Sequence, residues 1–95
     1  MTGTTRTSAG LDERRRRLLY RAWHRGMREM DLIMGRFADA TIGELSEAEV
    51  DAFERLSDLP DPEVYNWIAN NADVPPQHDT ALLRRLRAFH HGRDI

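Results

Sequence analysis

Apolar side chains recur along this chain at the spacing of amphipathic α-helices, and no segment shows the alternation of a strand. We predict five helices. The first extends from about residue 11 to residue 25, and its apolar stripe consists of Leu18, Leu19, Ala22 and Trp23. The second begins near residue 27, with apolar positions at steps of three and four: Met27, Met30, Met34 and Phe37. Leu32 and Ile33 widen this surface, so we expect the second helix to be central, with Gly35 permitting a close helix crossing.

The remaining three helices are marked by their ends. Ser46 and Glu49 form a capping box at the start of the third, with Leu45 placed to pack on Val50. Leu59-Pro60 ends this helix. Asp61 is predicted to cap the fourth, with Pro62 at its first position, and Asp79 to cap the fifth. The inward-facing side chains are predicted to be Val50, Phe53, Leu56, Val64, Trp67, Ile68, Leu82, Leu83, Leu86 and Phe89.

This pattern predicts an all-α fold, a small antiparallel bundle of about five helices. Residues 1–10 are rich in Thr, Ser and Gly and are predicted to form a disordered tail, so that a single helical domain spans residues 11–92. The chain has no cysteine, no signal-peptide pattern and no apolar run long enough for membrane insertion. We therefore expect a cytoplasmic bacterial protein. We also expect it to be monomeric when free.

Charge is strongly segregated along the chain, beneath a net charge of −2. Residues 1–28 hold eight arginines and two acids, and residues 29–79 hold thirteen acids and two arginines. The chain has no lysine, and arginine makes planar, bidentate contacts that lysine cannot. Such a chain can turn one charge sign toward a partner and the other toward solvent. The acids of the third helix are interpreted as a solvated face: Glu47, Glu49, Asp51 and Glu54.

No constellation of residues predicts catalysis, a resident cofactor or a metal. The six glycines do not have the spacing of a phosphate-binding loop, and no serine has a local histidine partner. His90 and His91 are adjacent, so on a helix they point about 100° apart and suit joint metal binding poorly. The arginines of Arg14–Arg17 spread around a helix without aromatic neighbours. A solvated or partner-facing helix is therefore favoured over nucleic-acid binding.

Gly26 interrupts what would otherwise be one long helix from Leu18 to Phe37. An interior glycine costs a helix about 1 kcal/mol relative to alanine. In a continuous helix, Arg25 and Glu29 would form a weak i, i+4 pair. If the chain instead turns at Gly26, Arg25 caps the first helix and Glu29 lies in the first turn of the second. The residues alone leave an interaction surface and a plain inter-helix turn equally open.

A family resemblance favours the interaction surface. The run Arg17–Tyr20 followed by residues 25–31 resembles the flavinylation factors of succinate dehydrogenase, called FAD assembly factor SdhE in bacteria, whose signature is RGxxE. Arg25, Gly26 and Glu29 fill that signature without substitution. The similarity continues through residues 32–37 and recurs at residues 61–67, so that it covers the chain from about residue 11 to residue 90.

The resemblance implies an assembly factor without a catalytic site of its own. Such proteins bind the flavoprotein subunit of succinate dehydrogenase, and in some bacteria that of fumarate reductase, and promote covalent attachment of FAD to a histidine of that subunit. The partner-binding residues implied here are Arg25, Gly26, Glu29 and Asp31. Arg25 is expected to make charge-assisted contacts and Gly26 to permit close backbone approach. Glu29, with Asp31, is expected to order groups around the flavin-linking histidine, while the partner holds FAD.

Two other functions remain as alternatives to the assembly factor, and the burial of two aromatic residues also remains open. A small regulatory module of antitoxin type would also need only a protein-binding surface, and a nucleic-acid binder would use the run Arg14–Arg17. Tyr65 and Trp67 lie on the short fourth helix as core residues or as a second contact surface, and their spacing favours core packing.

Overall fold

The computed structural model describes residues 10–93 and is entirely helical apart from turns and loops in that range. Its five α-helices are α1 (Glu13–Trp23), α2 (Arg28–Thr41), α3 (Glu47–Ser57), α4 (Asp61–Ala69) and α5 (Ala81–Arg93), with a single 3₁₀ turn at Pro76–His78. The predicted all-α fold of five helices is therefore confirmed. The predicted disordered tail lies outside the described residues except for Gly10.

The core is built around α2, as its repeated apolar spacing predicts. Met30, Met34 and Phe37 on this helix are completely buried. The Phe37 ring makes edge-on contacts with Phe53 of α3 and Phe89 of α5, each with ring centroids 5.6 Å apart. Edge-to-face contacts are a preferred arrangement of aromatic rings. One residue of α2 thus connects two other helices through the centre of the molecule.

At Gly35, α2 packs directly against the Trp23 ring of α1, which confirms the predicted close crossing. A Cβ atom built on Gly35 would lie 2.3–2.6 Å from three atoms of the Trp23 indole ring. The ring is held from its other edge, because its Nε1–H donates to an Asp39 carboxylate oxygen at 3.1 Å. Only a hydrogen at position 35 leaves room for Trp23 in this position.

The capping box predicted for α3 is present, but two other predicted caps are wrong. The Ser46 hydroxyl accepts from the Glu49 N–H at 3.1 Å, and the Glu49 carboxylate accepts from the Ser46 N–H at 2.9 Å. At α5 the cap is Thr80, whose hydroxyl accepts from the Leu83 N–H at 3.1 Å. The helix begins one residue later than predicted, and the Asp79 carboxylate instead pairs with Arg84.

Asp61 likewise does not cap α4. The helix begins at Asp61 itself, preceded by Pro60 in an extended conformation, and no side chain provides a cap. A carboxylate caps a helix from the residue before the first helical position. Because Asp61 occupies that first position, its carboxylate is available to another residue. That residue is Arg25.

Arginines of the basic N-terminal segment form ion pairs with acids of the middle segment at the surface of the molecule. Arg14 of α1 contacts three acids of α3: Glu47 at 3.1 Å, Glu54 at 2.8 Å, and Asp51. The hydrogen bond from Arg14 holds the pKa of the Glu54 carboxyl below its usual value. These acids still lie on a solvated face, with 34–74% of their side chains exposed, and the ion pairs that they form with Arg14 were not predicted.

Arg85 makes the corresponding contacts at the other end of the chain. It pairs with Glu49 at 3.1 Å and with Glu44 in the loop before α3. The pKa of the Glu49 carboxyl is lowered, first by the hydrogen bond from the Ser46 N–H and then by Arg85. The acidic middle of the chain thus joins the arginine-rich first and last helices.

Candidate functional site

A turn of four residues, 24–27, separates α1 from α2. Gly26 in this turn has a φ of +92°, a conformation that residues with a Cβ rarely adopt. A Cβ at this position would meet no atom within 4 Å, so the backbone conformation and not crowding requires glycine here. The chain therefore turns at Gly26 and does not form one continuous helix. Glu29 lies in the first turn of α2, as that alternative predicted.

The Arg25 side chain reaches from this turn into the junction of α3 and α4. Its Nη2 donates to an Asp61 carboxylate oxygen at 2.8 Å and to the Ser57 carbonyl at 2.7 Å. Its Nε donates to the same Asp61 oxygen at 3.1 Å. The expectation that Arg25 caps α1 is wrong, because its guanidinium covers the last carbonyl of α3 and pairs with the first residue of α4.

Burial distinguishes this ion pair from the others. The Arg25 side chain is 10% exposed and that of Asp61 15%, whereas the neighbouring pair Arg21–Asp58 is 39% and 69% exposed. Arg21 also approaches the Ser57 carbonyl, at 3.4 Å. A nearly buried pair with a planar guanidinium and several hydrogen bonds is held in one geometry, which an exposed pair is not.

Asp31 fastens the turn from the α2 side. Its carboxylate accepts from the Arg25 backbone N–H at 2.5 Å, and its own N–H donates to the Met27 carbonyl at 2.9 Å. Asp31 is half-buried. Its carboxylate therefore serves a contact within the chain.

The exposed residue Glu29 lines a groove between α2, α4 and α5. This groove has a volume of about 160 Å³. Its lining residues are Glu29, Leu32, Ile33, Arg36, Tyr65, Ala69, Phe89 and His90. No other residue of the described range forms an ion pair or hydrogen bond with the Glu29 side chain. The groove thus combines mainly apolar side chains with the charged groups of Glu29 and Arg36 and the imidazole of His90.

An exposed aromatic pair lies beside the turn. Tyr20 is 63% exposed, and its ring stacks on that of His24 with centroids 3.9 Å apart and planes within 14°. The His24 Nδ1 lies 2.7 Å from the Tyr20 carbonyl oxygen, which fixes the imidazole against the end of α1. Exposed, preordered tyrosines are frequent anchors in protein interfaces.

Comparison with known proteins identifies the family. The model of a family described as flavinator of succinate dehydrogenase matches residues 16–90. The chain belongs to this flavinator family. No solved structure was found to match it.

Several curated relatives of this flavinator chain carry assembly-factor names. One is succinate dehydrogenase assembly factor 2, mitochondrial, from Dictyostelium discoideum, which is 37% identical over 84 residues, or 88% of this chain and 58% of that protein. The protein of the same name from Scheffersomyces stipitis is 40% identical over 81 residues, which cover 81% and 54% of the two chains. FAD assembly factor SdhE from Acetobacter pasteurianus is 37% identical over 76 residues, which cover 80% and 70%. The chain thus spans little more than half of the mitochondrial relatives it matches.

The four residues predicted to bind a partner separate into two pairs in this structure. Arg25 and Asp31 direct their polar atoms to contacts within the chain, while Gly26 and Glu29 are exposed. Trp67 is a core residue, 5% exposed, as expected, and Tyr65 is half-buried and lines the groove. Tyr65 therefore packs partly against the core, and its role in a second contact surface stays a prediction.

Within residues 10–93, no three His, Cys, Asp or Glu side chains come together as a metal-binding group. His91, one of the adjacent histidines, lies with its Nε2 3.0 Å from the Ile68 carbonyl oxygen. None of the described helices has the length and apolar character needed to cross a membrane.

Sequence reasoning missed Asp61 as a member of this site. It read Asp61 as a helix cap because Asp before Pro62 is a common cap pattern. Pro60 was the available signal: in the extended conformation it occupies the cap position and moves Asp61 into the helix. Arg36, Ala69 and His90 carried no local signal, because only the packing of three helices brings them to one groove.

Proposed function

We propose that this chain binds the flavoprotein subunit of succinate dehydrogenase, and that of fumarate reductase where one is present, and promotes covalent attachment of FAD to it. Family membership and the names of the relatives support this function. The structural observation that carries it is the exposed Glu29, which lies in the first turn of α2 next to a fixed turn and lines a groove of mainly apolar side chains. The proposed contact surface comprises Gly26, Glu29 and this groove.

The chain acts in this proposal by holding its partner and not by chemistry of its own. The groove is smaller than the 300–1,000 Å³ typical of ligand pockets, so it accommodates one or two side chains of a protein partner and not FAD. Fixing a flavoprotein in the conformation that brings flavin and histidine together lowers the barrier to their reaction. The Glu29 carboxylate would order basic or polar groups near the flavin-linking histidine. FAD stays with the flavoprotein, and the site of action is the bacterial cytoplasm.

The experiment compares the succinate dehydrogenase flavoprotein subunit produced with and without this chain. Each sample is denatured and separated on a gel, and flavin fluorescence is read in the subunit band. We expect fluorescence to depend on the chain and to be lost with Glu29→Ala. Equal fluorescence with and without the chain would refute the proposed function.

Glu13→Ala is the matched control. Glu13 is also an exposed acid in the first turn of a helix, and it lies at the opposite end of α1 from the turn at Gly26. It should leave flavin attachment unchanged. Circular dichroism of both variants must match the native chain; a loss of helicity confined to Glu29→Ala would assign Glu29 a structural role instead.

A further inference from the structure

The Arg25 guanidinium is already occupied within the chain. It makes three hydrogen bonds of 2.7–3.1 Å to Asp61 and to the Ser57 carbonyl, and its side chain is 10% exposed. To reach a partner, it would have to leave Asp61 as an almost buried carboxylate without a counter-charge. Leaving one member of a buried pair unpartnered is strongly unfavourable. Direct contact between this guanidinium and a partner therefore requires a local rearrangement that the structure opposes.

The same contacts place Arg25 where it can hold the turn that presents Gly26 and Glu29. Its backbone N–H is bound by Asp31 of α2, and its side chain is bound at the end of α3 and the start of α4. The intervening glycine has little conformational preference of its own, so the turn depends on contacts at either side. One residue thus ties the turn to three helices.

We propose that Asp61 is a positioning residue for the partner-binding surface, acting through Arg25, which fixes the turn and does not itself bind the partner. This inference rests on the proposed function for its effect on flavin attachment. In this inference Arg25 of the signature and Asp61, 36 residues away, act together to hold the turn. The surface that touches the flavoprotein is then formed by Gly26, Glu29 and the groove.

The test compares Arg25→Gln, Asp61→Asn and the double variant. If Asp61 positions the turn through Arg25, both single variants bind the flavoprotein subunit roughly tenfold to hundredfold more weakly, the range expected for a lost charge-assisted hydrogen bond. The double variant then binds no more weakly than either single one, because all three remove the same contact. If Arg25 binds the partner directly, Asp61→Asn frees it, and binding is retained. Retained binding in Asp61→Asn together with loss in Arg25→Gln would overturn the inference.

Asp58→Asn is the matched control for this series. It removes an exposed ion pair to Arg21 that lies beside the same Ser57 carbonyl. It should leave binding unchanged. If Asp61→Asn fails to fold, Asp61→Glu retains the carboxylate, and rescue of both folding and binding by this variant supports the inference. A folded Asp61→Glu with the affinity of Arg25→Gln and an unaltered turn would contradict it.

A measurement on the isolated chain separates this inference from the proposed function. The backbone amide signals of Gly26 and Met27 in an ¹⁵N–¹H correlation spectrum report the turn directly. They should shift in Asp61→Asn and Arg25→Gln and stay in place in Asp58→Asn. If the native chain has no effect on flavin attachment, the proposed function fails, but the amide signals still test the positioning role of Asp61. Unchanged signals in Asp61→Asn would overturn that role.

Discussion

Replacing Gly35 by alanine tests the packing of α1 on α2 with a single methyl group. The new Cβ would lie 2.3, 2.5 and 2.6 Å from three ring atoms of Trp23. Carbon atoms in contact are normally about 3.5–4.0 Å apart, so the indole would have to move by about 1 Å or more. The ring is rigid and buried, and it cannot turn away as a flexible side-chain end could. The clash must be relieved by moving the ring or by separating the two helices.

The expected cost is the sum of three terms. Overpacking a core costs about 1–3 kcal/mol. Displacing the indole also weakens its hydrogen bond to Asp39, which contributes about 1 kcal/mol. Alanine in a helix recovers about 1 kcal/mol relative to glycine. The net loss of unfolding free energy is therefore about 1–3 kcal/mol. For a domain of this size each kcal/mol lowers the unfolding midpoint by about 4–8 °C, so a loss in the middle of that range lowers it by about 8–16 °C.

Thermal and urea unfolding followed by circular dichroism measure this loss. Gly92→Ala is the control, since it adds the same methyl group to helix α5 where a Cβ meets no atom within 4 Å, and its midpoint should be unchanged or slightly higher. In Trp23→Phe/Gly35→Ala the smaller ring leaves room, so the double variant should lose less stability than the two single losses combined. A Gly35→Ala chain as stable as the native one would show that the close crossing is not needed.

Three further predictions concern the turn, the charges and the groove. Gly26→Ala should lower the free energy of unfolding by about 1–2 kcal/mol through backbone strain alone, and Gly26→Asn by less, as urea unfolding will show. Hydrogen bonds hold the pKa values of Glu49 and Glu54 below their usual value of about 4.3. The ionised carboxylates should therefore stabilise the folded chain fully above that pH, and this stabilisation should be lost as the pH falls through the lower folded-state pKa values. The acid-induced fall of the unfolding midpoint should be shallower in Glu54→Gln; an unchanged pH profile would contradict this. Ala69→Arg should fill the groove and weaken binding of the flavoprotein subunit without loss of helicity, whereas an unaltered affinity would exclude the groove from the contact surface.

The features that the sequence predicted correctly are local ones. The apolar spacing of α2 reports its burial because residues three and four apart share a face, whatever the rest of the chain does. The capping box of Ser46 and Glu49 spans only four residues, and both of its predicted hydrogen bonds form. The crossing at Gly35 was anticipated from one glycine in an apolar surface, although its partner, Trp23, was not.

The features that the sequence did not predict depend on residues far apart. Arg25 and Asp61 are separated by 36 positions, and Arg14 and Glu54 by 40. Each of these side chains also has a plausible local role, as a cap or as part of a solvated face. Only the packing of α1 against the α3–α4 junction decides between the local role and the distant one. The composition of the groove is of the same kind, since it draws on three helices.

The pairing of Arg14 with α3 has a consequence for the order in which the chain is assembled during synthesis. A ribosome adds residues from the N-terminus, so α1 is complete well before the acids that neutralise Arg14 have been made. Until then the nascent segment is a strongly cationic peptide with its apolar stripe uncovered. The last buried leucines, in α5, arrive only after residue 81. Stable folding of this domain is therefore expected to be a late and nearly all-or-none event, which takes place once the acidic middle and the final helix have both left the ribosome.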